Sequence, residues 1–242
     1  MLESHYYINK VEAGCDEAGR GCLAGPVYAG AVILPPDYHN DLLNDSKQLT
    51  EKKRYQLREI IQRDALAWAV GVVTNEEIDR INILRASILA MQRAVDALRI
   101  RPEALIIDGN RFYPYYPPTD SRFIAQPGCH DNAFYPSEAE IKAFEEVERQ
   151  KQALPHTTIV KGDGKYLAIA AASILAKTYR DDFMMNIHSD YPQYGWNLTS
   201  QKIETPHKIQ EKNQYYCICN LIIPVIPERF ISFPADCHTF RQ

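Results

Sequence analysis

Three apolar runs in this chain stop in the same way, each at or one turn before an aspartate set close to glycine. Residues 6–15 lead into Cys15-Asp16-Glu17 and the turn Ala18-Gly19-Arg20-Gly21. Residues 104–107 (ALII) end in Asp108-Gly109, and residues 157–160 (TTIV) precede Lys161-Gly162-Asp163-Gly164. Short apolar runs bounded by glycine and aspartate read as strands. In open α/β sheets ligands bind at strand ends. Carboxylates placed there can therefore converge from segments far apart in sequence.

The segments between these runs fix the fold class. Residues 27–34 (VYAGAVIL) read as a second strand, stopped by Pro35-Pro36, and residues 65–73 (ALAWAVGVV) as a third. Thr50 is placed to N-cap a helix through about Arg63, with Tyr55, Leu57, Ile60 and Ile61 on its apolar side. One long helical stretch is expected over residues 75–98, and another from about Leu167 to His188. The latter opens on small residues (Ala168, Ala170, Ala171, Ala172, Ser173), which permits close backbone packing. This order predicts an α/β domain with a mixed central sheet flanked by helices. Residues 111–154 hold no regular period and read as an insertion, rich in Pro, Tyr and Phe, with a short helix opening at Ser137. A domain over residues 1–200 followed by an atypical segment 201–242 is the expected organisation. With 45% hydrophobic residues in 242, there is enough apolar material for such a core.

Bulk properties exclude several classes. The net charge of −4 gives no global attraction to nucleic acid, so any such binding needs a local basic patch. The six cysteines form no C-x-x-C pair, which argues against a zinc or redox motif. The first residues lack the pattern of a signal peptide, and no apolar run approaches the ~18 residues of a spanning helix. The expectation is a cytoplasmic monomer with free thiols and no membrane association.

A lone aspartate after a strand is ordinarily a turn former or helix cap. Chemistry requires that Asp16, Glu17, Asp108 and Asp163 converge. Adjacent strand residues face opposite ways, so Asp16 and Glu17 share a site only where the strand ends or bulges. Clustered carboxylates raise one another's pKa unless a cation neutralises them. Oxygen donors select Mg²⁺ or Mn²⁺, and a pair of such ions suits phosphodiester hydrolysis.

Six ordered blocks resemble the ribonuclease HII (type 2 ribonuclease H) family: Gly14-Cys15-Asp16-Glu17-Ala18-Gly19-Arg20-Gly21 with Pro26; Asp45-Ser46-Lys47-Gln48-Leu49; Ile78 to Leu84; Asp108-Gly109-Asn110; Lys161-Gly162-Asp163; and Ala170 to Lys177 with Arg180-Asp181. The resemblance covers about residues 10–110 and 157–196. It implies a ribonuclease H-like fold and an endonuclease that hydrolyses the RNA strand of RNA–DNA hybrids. It further implies nicking 5′ of a ribonucleotide embedded in duplex DNA, leaving 5′-phosphomonoesters. It makes Asp16, Glu17, Asp108 and Asp163 the catalytic ligands of Mg²⁺ or Mn²⁺. Gly19, Arg20 and Gly21 would approach the 2′-hydroxyl, and Lys47 would contact a phosphate. Both steps are physically reasonable, because glycine allows close backbone approach and the 2′-hydroxyl separates RNA from DNA. Lys177 and Arg180 are expected either to add positive charge near the substrate or to form a solvated helix face.

The chain departs from the resemblance in two places. The stretch between Asp108 and Asp163 is long and carries extra aromatics, among them Phe112, Tyr113 and Tyr115. These either stack on bases or fold onto the domain's own core. After Trp196 the chain reads NLTSQKIETPHKIQ, without the family's G-Y-x-T-x-x-H tyrosine, an abrupt change of the kind a reading-frame shift produces. A second reading follows from that tail: a hybrid-binding protein with impaired catalysis.

Overall fold

The computed structural model describes residues 2–22, 24–43, 49–115, 153–194 and 196. Strand β1 (Glu12–Ala18) lies at the centre of a five-stranded sheet. It is flanked on one side by β2 (Val27–Ile33) and β3 (Ala67–Val73), both in antiparallel succession. On the other side β4 (Ala104–Asp108) and β5 (His156–Ile159) run parallel to it, giving the order β3-β2-β1-β4-β5. The sheet is mixed, as the sequence predicted.

β1 starts later than residue 6. The Glu12 carboxylate accepts the backbone N–H groups of Tyr6 and Tyr7, and Asn9 takes a left-handed backbone with φ of 64°. The chain thus turns back over the start of the strand instead of extending it.

Helices cover both faces. α1 (Glu51–Asp64) is capped as expected, with the Thr50 hydroxyl accepting from the Lys53 amide. The expected helix over 75–98 is two helices, α2 (Asn75–Ile81) and α3 (Ile83–Asp96). Asn82 separates them at φ 70°, and its side chain caps α3 through the amides of Leu84 and Arg85. Asparagine satisfies the N-terminal donors of the second helix more readily than it continues the first.

α3 packs through Ala86, Ala90, Met91, Ala94 and Val95 on the face carrying Ala13, Cys15, Ala29, Ala31 and Ile107. The other face carries Val32 and Ile106 and receives α1 and the long helix α4 (Leu167–Asp190). α4 lies very close to the sheet. A Cβ at Gly14 or Gly30 would collide with the backbone of Ala168 or Ala172, so glycine facing alanine sets the helix–sheet distance. The small residues at the start of α4 have that use.

The segment read as an insertion is anchored in the core at its described ends. Tyr115 is buried and its hydroxyl donates to Asp96, while Phe112 and Leu154 pack against the α3 face. Core packing therefore accounts for two of the extra aromatics. The expected helix at Ser137, the segment 201–242 and Lys47 lie outside the described residues. No described helix is long and apolar enough to cross a membrane.

Candidate active site

The carboxylates gather where β1 and β4 end side by side. Cys15 pairs with Ile107, so Asp16 and Asp108 follow at adjacent positions of parallel strands. Both lie on the α4 face, two residues beyond Gly14 and Ile106. Asp16 is buried, with 5% of its surface exposed. The Glu17 amide donates to its Oδ1 at 2.7 Å, and the Ser173 hydroxyl of α4 adds a hydrogen bond. Asp108 accepts the Gly162 amide at 2.6 Å through Oδ1. That bond ties the end of β4 to the short 3₁₀ turn Gly162–Gly164, which carries Asp163, itself buried at 3% exposure.

Glu17 is still within the strand, paired with Ala29, so no bulge turns it. It faces away from Asp16, but at the strand end both remain within electrostatic reach of Asp108. Burial, then the charges of Glu17 and Asp108, push the Asp16 carboxyl well above the usual carboxylate range. Burial raises Glu17 too, against the pull of Arg20, with Asp108 raising it further. The Arg20 guanidinium reaches Glu17 Oε1 at 3.4 Å, and its side chain is 47% exposed. This long, half-wet pair pulls Glu17 down, but less than burial pushes it up.

The donors at this corner are all carboxylate oxygens, and two of them are held above their ordinary range. That chemistry fits a hard divalent cation. Among the described residues, no three such side chains are already gathered at ligating geometry.

Gly19, Arg20 and Gly21 follow directly. Gly19 has φ of 112°, and a Cβ there would lie 2.7 Å from Arg180 Nε and from the Pro26 carbonyl. Only glycine suits both the conformation and the space. The Cys22 amide closes a turn onto the Gly19 carbonyl. The residues that sequence reasoning misjudged are on α4. Ser173 was read as packing, yet it touches Asp16. Arg180 was expected near substrate or in solvent, yet it is 1% exposed. Lys177 bonds Asp181 on its own helix. The alternation of small residues along α4 marks a close-packed face, and a serine and an arginine on such a face are the signals that could have exposed both roles.

The sequence model of the family described as Ribonuclease HII matches residues 13–126 and 119–216. Ribonuclease HII of Phocaeicola vulgatus is 61% identical over 193 residues, covering 79% of this chain and 78% of that protein. This chain belongs to the ribonuclease HII family. Ribonuclease HII of Bacteroides thetaiotaomicron is 59% identical over the same length, again covering 79% of this chain and 78% of the relative. In three dimensions the fold matches the crystal structure of ribonuclease H2 from Pyrococcus horikoshii OT3 with a TM-score of 0.57 at 24% identity, over 92% of this chain and 90% of that one. Bst-RNase HIII, solved in complex with Mn²⁺, matches with a TM-score of 0.51 at 16% identity over 87% and 70%. These likenesses establish the ribonuclease H-like fold. Membership of the ribonuclease HII family makes the chain a ribonuclease H and implies an endonuclease acting on RNA–DNA hybrids. The match is wider than the six sequence blocks: it enters the stretch after residue 111 and continues past Trp196 to residue 216.

Proposed function

We propose that this ribonuclease HII relative hydrolyses the RNA strand of RNA–DNA hybrids and nicks 5′ of single ribonucleotides in duplex DNA, using Mg²⁺ or Mn²⁺. The observation that carries the reading is that Asp16 and Asp108 end adjacent parallel strands, within electrostatic reach of Glu17, with Asp16 and Glu17 both raised by burial and by neighbouring charge. Asp16, Glu17, Asp108 and Asp163 would hold the cations. A bound pair of ions supplies an activated water and stabilises the leaving oxygen. The protein's own groups do the rest. Ser173 and the Glu17 amide fix the orientation of Asp16, and the Gly162 amide fixes Asp108. The backbone of Gly19, Arg20 and Gly21 meets the 2′-hydroxyl next to the scissile phosphate, and Lys47 contacts a flanking phosphate. We read residues 1–200 as the catalytic domain and the working form as a monomer.

The direct test is a duplex with one embedded ribonucleotide, incubated with purified full-length protein and Mg²⁺ or Mn²⁺. A single nick on its 5′ side, leaving a 5′-phosphate on the downstream fragment, is the expected product. An intact duplex at high enzyme concentration in both metals rejects the proposal.

A further inference from the structure

We infer that Arg180 is a positioning residue that holds Gly19 and the stretch Ala24–Pro26, and through them sets the preference for a ribonucleotide. This inference rests on the proposed role of Gly19, Arg20 and Gly21 in meeting the substrate.

Arg180 is among the largest fully buried side chains in the protein. Burying a guanidinium is costly unless its donors are used. Here Nε donates to the Pro26 carbonyl at 3.1 Å and Nη2 to the Ala24 carbonyl at 2.7 Å. The same side chain fills the space where a Cβ of Gly19 would stand, and its Nη2 would lie 3.3 Å from a Cβ at Gly25. One arginine therefore touches this loop at Gly19 and along Ala24–Pro26. The planar fork makes two backbone bonds at once, which a lysine ammonium on a flexible stem cannot reproduce with fixed geometry.

The helix connects this clamp to the carboxylates. Ser173, which bonds Asp16, precedes Arg180 by about two helical turns, so both lie on the sheet-facing side of α4. One rigid helix thereby sets the height of Asp16 and the position of the loop together. If backbone atoms of that loop contact the 2′-hydroxyl, a shift of a few tenths of an ångström changes ribonucleotide recognition before it changes the carboxylates.

The test compares wild type with Arg180→Lys and Gly25→Ala in the full-length protein. Gly25→Ala leaves the arginine in place and presses on the same clamp, where φ is 87° and Met184 is the nearest neighbour. Each protein is melted to establish that it folds. Fluorescence anisotropy without divalent metal then gives Kd for a duplex with one ribonucleotide and for the same duplex in all-DNA form. Nicking with Mg²⁺ gives kcat and KM. The expected result is a folded variant whose preference for the ribonucleotide falls about tenfold and whose KM rises about tenfold, with kcat within about twofold of wild type. A merely structural role moves the melting temperature and leaves both ratios unchanged. Wild-type preference and KM in either folded variant overturn the inference, and if Arg180→Lys does not fold, Gly25→Ala decides. A wild type without preference for the ribonucleotide overturns it as well. A wild type that prefers the ribonucleotide but never nicks rejects the proposed activity and leaves the clamp standing.

Discussion

Glu77 and Glu17 are both part-buried, their side chains 19% and 13% exposed, with Glu17 set deeper, and their carboxyls end on opposite sides of the ordinary value. Burial pushes both carboxyls up. At Glu77 the push is outweighed by Arg93, whose guanidinium donates at 2.6 and 3.0 Å, and by the Thr74 amide of the capping box, so the carboxyl ends below its ordinary value. At Glu17 the exposed Arg20 stands at 3.4 Å, two more carboxylates lie nearby, and the carboxyl ends high. Glu77 is a finished structural pair joining α2 to α3. At the Asp16–Glu17–Asp108 corner, burial and neighbouring carboxylates hold Asp16 and Glu17 high. Burial raises the carboxyl in both places, and the counter-charge beside it decides where it ends.

The comparison breaks most visibly in activity. Asp16→Asn removes the most buried donor of the β1–β4 corner, and nicking of the one-ribonucleotide duplex should fall on the order of a thousandfold or more, about 4 kcal/mol of transition-state stabilisation. Glu77→Gln should leave kcat of the folded protein unchanged. It should instead cost stability, about 2 kcal/mol in a urea melt, because Arg93 stays half-buried with a weakened partner.

The pH dependence of the two sites differs in sign. A raised native pKa means that the folded protein holds its protons more tightly than the unfolded chain does. The stabilising contribution of Asp16 and Glu17 is therefore present below the ordinary carboxyl values, 3.8 and 4.5, and lost as pH rises through the raised ones. For Glu77 the contribution is present above 4.5 and lost as pH falls through its lowered value. Metal-free Asp16→Asn should then melt above wild type near neutral pH and lose that advantage in acid. Glu77→Gln should melt below wild type near neutral pH and approach it in acid. The smallest effect is expected at the helix break: Asn82→Gly keeps the positive φ but loses the cap, and should cost a few tenths of a kcal/mol.

Much of this was legible in the sequence because it depends on short-range signals. Apolar runs ending in aspartate and glycine located β1, β4 and β5, and Thr50 located the start of α1. The errors came where side chains act on distant backbone. Glu12 folds residues 6–10 back over the strand, and Asn82 divides a continuous apolar period into two helices. Arg180 sits on the small-residue face of α4, a mark of burial, but its acceptors at Ala24 and Pro26 lie over 150 positions away and are not local. The blocks around Asp16, Asp108 and Asp163 gave the family from residue identity alone. The raised carboxyl at Glu17, by contrast, needed the sheet register.

The central proposal is that the carboxylates of the β1–β4 corner bind a divalent cation. Mn²⁺ titration followed by electron paramagnetic resonance, without nucleic acid, tests it most directly. Wild type and Glu77→Gln should bind Mn²⁺ alike, and Asp16→Asn should bind at least about tenfold more weakly. Equal binding by Asp16→Asn and wild type, or no binding by wild type at millimolar Mn²⁺, would contradict the account.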